Sequence, residues 1–164
     1  MAIRAIIFDY GGVFSEKASL RDFCDRLARG KDADAEAMKD LMISLWLKAR
    51  VDEMDSEELF RQVADLAGTD LTEFKKKFFA FFGFRDELLA FVKNELKGTY
   101  KVGILSNNIR SWFEPIIEEK RLHDIFDVIV TSYGARIAKP DFRIFEEIVR
   151  RLDVKPDECI YIDD

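Results

Sequence analysis

The chain has 164 residues, 48% of them hydrophobic and 35% charged, with 26 basic and 32 acidic side chains and a net charge of −6. That balance suits a folded domain with a real core and disfavours broad nucleic-acid binding, which needs an excess of positive charge. No apolar run approaches the roughly 18–20 residues of a membrane span, residues 1–8 carry no leader pattern, and Cys24 and Cys159 have neither disulfide-framework nor zinc spacing, so a soluble protein of a reducing, cytoplasmic compartment is expected.

Residues 3–8 (Ile-Arg-Ala-Ile-Ile-Phe) form a mostly apolar run that predicts a buried strand, and Asp9-Tyr10-Gly11-Gly12 ends it in a tight turn. From about residue 17 to residue 97 the pattern is helical. Met38, Leu41, Met42, Leu45, Trp46 and Ala49 fall on one face, and Gly30, Gly68 and Gly83 interrupt the periodic segments. Asp55 with Glu58, and Asp70 with Glu73, read as capping boxes in which Asp replaces Ser or Thr. Four or five short helices with no strand between them are expected. Lys75-Lys76-Lys77 reads as a solvated helix face, and Phe78, Phe79, Phe81, Phe82 and Phe84 read as core at a junction.

After Gly98 strands alternate with helices. Residues 100–105 predict a strand ended by Ser106-Asn107-Asn108, residues 110–121 a helix, and residues 126–131 another strand. Lys139-Pro140-Asp141 opens a helix to about Leu152 with Pro140 in its first turn, and Cys159–Ile162 is a last strand running into Asp163-Asp164. The pattern predicts an α/β fold: a Rossmann-like parallel sheet core from residues 1–14 and 84–164, with an all-helical cap subdomain inserted at 15–83. Each part carries a net charge of −3, so no basic domain hides behind the average.

Ligands of open parallel sheets bind at the carboxyl ends of the strands. Asp9, Ser106 and the Asp163-Asp164 pair end three strands, and Lys139 follows the remaining one by eight residues. A carboxylate nucleophile, a hydroxyl, an ammonium and further carboxylates suit a phosphate-plus-Mg²⁺ site. Asp9 can attack phosphorus, Ser106 and Lys139 can hold phosphoryl oxygens, and Mg²⁺ favours carboxylate ligands completed by water and substrate.

Four segments, Phe8-Asp9-Tyr10-Gly11-Gly12-Val13, Ile104-Leu105-Ser106-Asn107, Lys139-Pro140 and Tyr161-Ile162-Asp163-Asp164, stand in an order that resembles the haloacid dehalogenase-like hydrolase superfamily, over nearly the whole chain. The resemblance implies phosphoryl transfer through an aspartyl-phosphate on Asp9. It further implies Mg²⁺ held by Asp9, the main-chain carbonyl of Gly11 and Asp164, with Asp163 in support. Asn107 and Gly12 are expected beside the substrate, and Trp46 and Arg50 lie where a cap could face it. The expected partner is a small phosphorylated metabolite, with no nucleic acid or membrane.

Two features depart from the family pattern. The second Asp of its usual Asp-x-Asp motif, the general acid and base, is Gly11 here, which implies either a phosphomonoester with a good leaving group, such as a sugar 1-phosphate, or protonation by a group of the substrate or the cap. Family members also continue past the final acidic pair, so a further helix and edge strand beyond Asp164 are expected. A 2-haloacid dehalogenase is the nearest alternative, since those relatives also lack the second Asp and work without Mg²⁺. They carry Tyr-Gly-Thr there, however, where this chain has Gly11-Gly12-Val13 with its tyrosine one position early. A degenerate member that only binds is the remaining alternative.

Overall fold

A computed structural model describes residues 2–29 and 34–164; the expected helix break at Gly30 lies outside the described residues. Four strands, β1 (Ala5–Phe8), β2 (Lys101–Ser106), β3 (Val128–Thr131) and β4 (Cys159–Ile162), form one sheet in the order β3-β2-β1-β4. Every pairing is parallel, with Phe8 opposite both Ile104 and Ile162, and Ser106 opposite Thr131. This is the expected doubly wound α/β fold, with β1 and β2 in the middle, where both faces need apolar cover.

Successive residues of β1 serve opposite faces. Ile6 and Phe8 pack with Val102 and Ile104 against Phe113, Ile116 and Ile117 of α6 (Arg110–Glu119). Ala5 and Ile7 pack with Leu105 and Val130 against Ile144, Ile148 and Leu152 of α8 (Phe142–Leu152). A single-turn helix, α7 (Ser132–Ala135), follows β3 directly.

Between β1 and β2 stand α1 (Leu20–Ala28), α2 (Ala35–Ala49), α3 (Ser56–Leu66), α4 (Leu71–Phe82) and α5 (Asp86–Phe91), the last running into a π-turn at Val92–Leu96. The apolar stripe of α2 is real: Met38, Met42 and Ala49 are buried, and Leu41, Leu45 and Trp46 pack on the same core. The phenylalanine cluster joins the inserted helices to the sheet layer, Phe78 and Phe82 lying 5.0 and 4.5 Å from the Trp112 ring on α6. Lys75 and Lys77 pair with Glu57 and Glu73 on a solvated face. Among the described residues no helix is long and apolar enough to cross a membrane.

Three local expectations need correction. Asp55 and Asp70 do cap their helices, accepting from the Glu57 and Glu73 amides, but the reciprocal half of each box is not made, because Glu58 turns to Arg61 and Gln62, and Glu73 to Lys77. Pro140 is not in the first turn of α8. Asp141 is the N-cap, accepting from the Arg143 amide at 3.0 Å, which leaves Pro140 in the preceding loop. Two strands are shorter than their apolar runs, β1 starting at Ala5 and β3 at Val128.

Candidate active site

The sheet delivers its polar residues to one edge. Asp9 follows β1 directly, and its amide donates to the Ile162 carbonyl at 2.8 Å, so the pairing with β4 runs one residue past the strand. Asp163 and Asp164 follow β4 in the same way. Carboxylate oxygens of Asp9, Asp163 and Asp164 consequently lie within 4.8 Å of one another.

Lys139 reaches this cluster from the loop before α8. Its Nζ is 3.1 Å from Asp9 Oδ1 and 3.6 Å from Asp163 Oδ2, with both Lys139 and Asp9 largely buried. Asn107 holds the Lys139 main chain from both sides, its Oδ1 accepting from the Lys139 amide at 2.8 Å and its Nδ2 donating to the carbonyl at 3.0 Å. Ser106, the last residue of β2, is 1% exposed, and its hydroxyl has no partner. A buried, unpaired hydroxyl is costly, which marks Ser106 as a group awaiting a ligand.

Burial pushes the Asp9 carboxyl up to about 6, with the Lys139 ammonium pulling the other way. Asp163, despite the burial that raises it, is held below its ordinary value by the Lys139 ammonium and by hydrogen bonds from Asp9 and Tyr161. Three carboxylates facing one ammonium leave an excess of negative charge that a divalent cation would offset, and their oxygens suit a hard metal.

Gly11 and Gly12 shape the turn differently. Gly12 has φ +70°, and a Cβ there would stand 2.3 Å from Asp164 Oδ2, so only glycine admits that carboxylate. A Cβ on Gly11 would sit 3.8 Å from Asp9 Oδ2, in ordinary contact. The turn is clamped by Arg85, whose guanidinium donates to the carbonyls of Gly12, Val13 and Glu16, and by Ser15 Oγ, which accepts from the Gly12 amide at 3.0 Å.

A cavity of about 200 Å³ opens on Asp9, Gly11, Asn107 and Asp164, walled by Tyr10, Leu20, Trp46 and Trp112. Trp46 thus stands where a cap residue would meet a ligand. Arg50 sits a turn further on, at the end of α2, and is not among the lining residues. Among the described residues no lysine or arginine lines this cavity.

Sequence reasoning missed three participants. Tyr161 donates and accepts beside Lys139 and Asp163, and the strand alternation could have found it, since it stands two residues before Asp163. Arg85 and Trp112 carry no local signal, because each acts on residues far away in the chain.

A family model described as haloacid dehalogenase-like hydrolase matches residues 3–164. The chain is 29% identical to a D-ribitol-5-phosphate phosphatase of Bacteroides thetaiotaomicron, over 99% of this chain and 83% of that protein. In structure it resembles a HAD family enzyme of the same organism with a TM-score of 0.81 at 18% identity, over 100% of this chain and 85% of that one; a magnesium complex of that enzyme scores 0.78. A solved dehalogenase is less similar, with a TM-score of 0.65 at 21% identity over 98% of this chain and 76% of that one.

Proposed function

The chain belongs to the haloacid dehalogenase-like hydrolases, and we propose that within this family it is a Mg²⁺-dependent phosphatase of small phosphomonoesters, with Asp9 as nucleophile. The observation that carries the reading is the clustering of Asp9, Asp163 and Asp164, the first two paired with the Lys139 ammonium, with the unpartnered Ser106 hydroxyl ending the neighbouring strand. The relatives named as phosphatases, and the magnesium complex of the structural neighbour, support it.

In this account Asp9, Asp164 and the Gly11 carbonyl would hold the metal, and Asp163 pairs with Lys139 at 3.6 Å. Bound magnesium supplies positive charge that offsets repulsion between these carboxylates and an anionic substrate. Asp9 attacks phosphorus as its ester bond to the leaving oxygen breaks, while Lys139 and Ser106 stabilise the transferring phosphoryl oxygens. Water then attacks phosphorus of the aspartyl-phosphate, releasing inorganic phosphate and restoring Asp9.

Gly11 offers no proton to the leaving oxygen. General acid help is worth about 10²–10⁴-fold, or roughly 3–5 kcal/mol of barrier, and its loss matters least for a good leaving group. The substrate reading follows: a sugar 1-phosphate or similar ester that departs readily. A small organic part fits, since the cavity is walled by Leu20, Trp46 and Trp112, and among the described residues none of its lining is a lysine or arginine that would meet a second anionic group.

Phosphate release from sugar 1-phosphates, aryl phosphates and simple alkyl phosphates, with Mg²⁺ and with chelator, tests this. Chelator-sensitive turnover of the first two classes well above the third is expected. Equal rates for all three would overturn the leaving-group argument, and halide release from a 2-haloacid would overturn the phosphatase reading.

A further inference from the structure

The Lys139 ammonium sits among three oxygens, two that pair with it by charge and one that accepts a hydrogen bond. Two are carboxylates, Asp9 Oδ1 at 3.1 Å and Asp163 Oδ2 at 3.6 Å. The third is neutral and nearest: the Tyr161 hydroxyl accepts from Nζ at 2.5 Å. That hydroxyl is also in hydrogen-bond reach of Asp163, so it can accept from the ammonium while donating to the carboxylate.

The phenol is itself held firmly. Tyr161 pairs opposite Ile7 in the sheet, and its ring meets Phe145 of α8 edge-on at a centroid distance of 5.5 Å. The ammonium lies 5.3 Å from the Tyr161 centroid, adding an attraction between cation and ring. Asn107 fixes the Lys139 backbone, so backbone and head of this side chain are anchored separately.

The three acceptors differ in what an arriving phosphoryl group does to them. Its oxygens compete with the carboxylates for the ammonium, and a metal ion at Asp9 would draw that carboxylate away. The phenol carries no charge and takes no part in either exchange, so it keeps its hold.

From this geometry we infer that Tyr161 is a positioning residue: its hydroxyl fixes the Lys139 ammonium where the transferred phosphoryl oxygens arrive. The inference rests on the phosphatase reading. It makes Tyr161→Phe, which keeps the ring and its packing, a defect in the chemical step rather than in folding.

The test is a cycle of four proteins, the wild type, Tyr161→Phe, Lys139→Met and the double variant, assayed with an aryl phosphate and Mg²⁺. Tyr161→Phe is expected to lower kcat/KM about 5–20-fold with an unchanged melting temperature, and to have less than a twofold effect once Lys139 is Met. An equal loss in both backgrounds, or no loss with Lys139 present, overturns the inference. Binding of inorganic phosphate with Mg²⁺, by calorimetry, is the second readout. Tyr161→Phe should weaken it several-fold, and an unchanged affinity overturns the inference even if the wild type hydrolyses nothing, an outcome that would separately sink the phosphatase reading.

Discussion

Replacing Asp9, the proposed nucleophile, should make the metal-free protein more stable. Asp9 has a folded-state pKa of about 6 against an ordinary 3.8, because burial disfavours its charge more than Lys139 favours it. Between those two values the folded state binds more protons than the unfolded one, so stability falls as pH rises from about 4 to about 6 and then levels off. A difference of roughly 2 pKa units corresponds to about 3 kcal/mol at neutral pH. Asp9→Asn keeps the shape and removes the charge. At pH 7.5 in chelator it should gain up to about 3 kcal/mol, or roughly 6–12 °C in melting temperature for a domain of this size. The gain should vanish near pH 4, where folded Asp9 is already protonated, and shrink with saturating Mg²⁺, which stabilises only the protein that binds it. Thermal melts of both proteins at pH 4 and 7.5, with and without Mg²⁺, read this directly. A destabilised Asp9→Asn at pH 7.5, or the same gain at pH 4, would refute the reasoning.

The neighbouring glycines should separate cleanly. Gly12→Ala, with φ +70° and its Cβ 2.3 Å from Asp164 Oδ2, should cost about 1–2 kcal/mol and raise the Mg²⁺ concentration for half-maximal activity at least tenfold; Gly11→Ala, nearest to Asp9 at 3.8 Å, should leave that concentration unchanged within about twofold in the same titration. Gly11→Asp places a carboxyl beside the nucleophile and should raise alkyl-phosphate hydrolysis at least tenfold while changing aryl-phosphate hydrolysis little, as steady-state rates would show. Ser56→Ala removes the buried acceptor of the Ser111 amide at 2.9 Å, one link between the inserted helices and α6, and should cost about 1–3 kcal/mol in urea unfolding.

What was legible in the sequence was whatever a short window carries. The strands showed as apolar runs because the middle of a parallel sheet is covered on both faces, and Asp9, Ser106 and Asp163 were placed because each abuts such a run. The stripe of α2 was visible because Met38, Met42 and Ala49 recur at helical spacing. Pro140 misled because Lys139 must sit outside the helix to reach Asp9, and Asp141 takes the cap instead. The clamp of Arg85 on Gly12 and the Trp112 wall of the cavity join segments distant in sequence, and nothing local announces either. Tyr161 was half legible: strand alternation sets it on the side of Asp163, but only the fold brings Lys139 to its hydroxyl.

The central claim is that a phosphoryl group passes through Asp9 and is released by water attacking phosphorus. A single turnover of an aryl or sugar phosphate in ¹⁸O-water with Mg²⁺, followed by mass spectrometry of both products, tests it most directly. The account predicts ¹⁸O in the inorganic phosphate, none in the Asp9 side chain, and a phosphoryl adduct on Asp9 in acid-quenched protein; labelled phosphate with no adduct, as direct attack of water on the substrate would give, contradicts it. Label in the Asp9 carboxylate, the mark of water attacking an ester carbon as in dehalogenation, would contradict it.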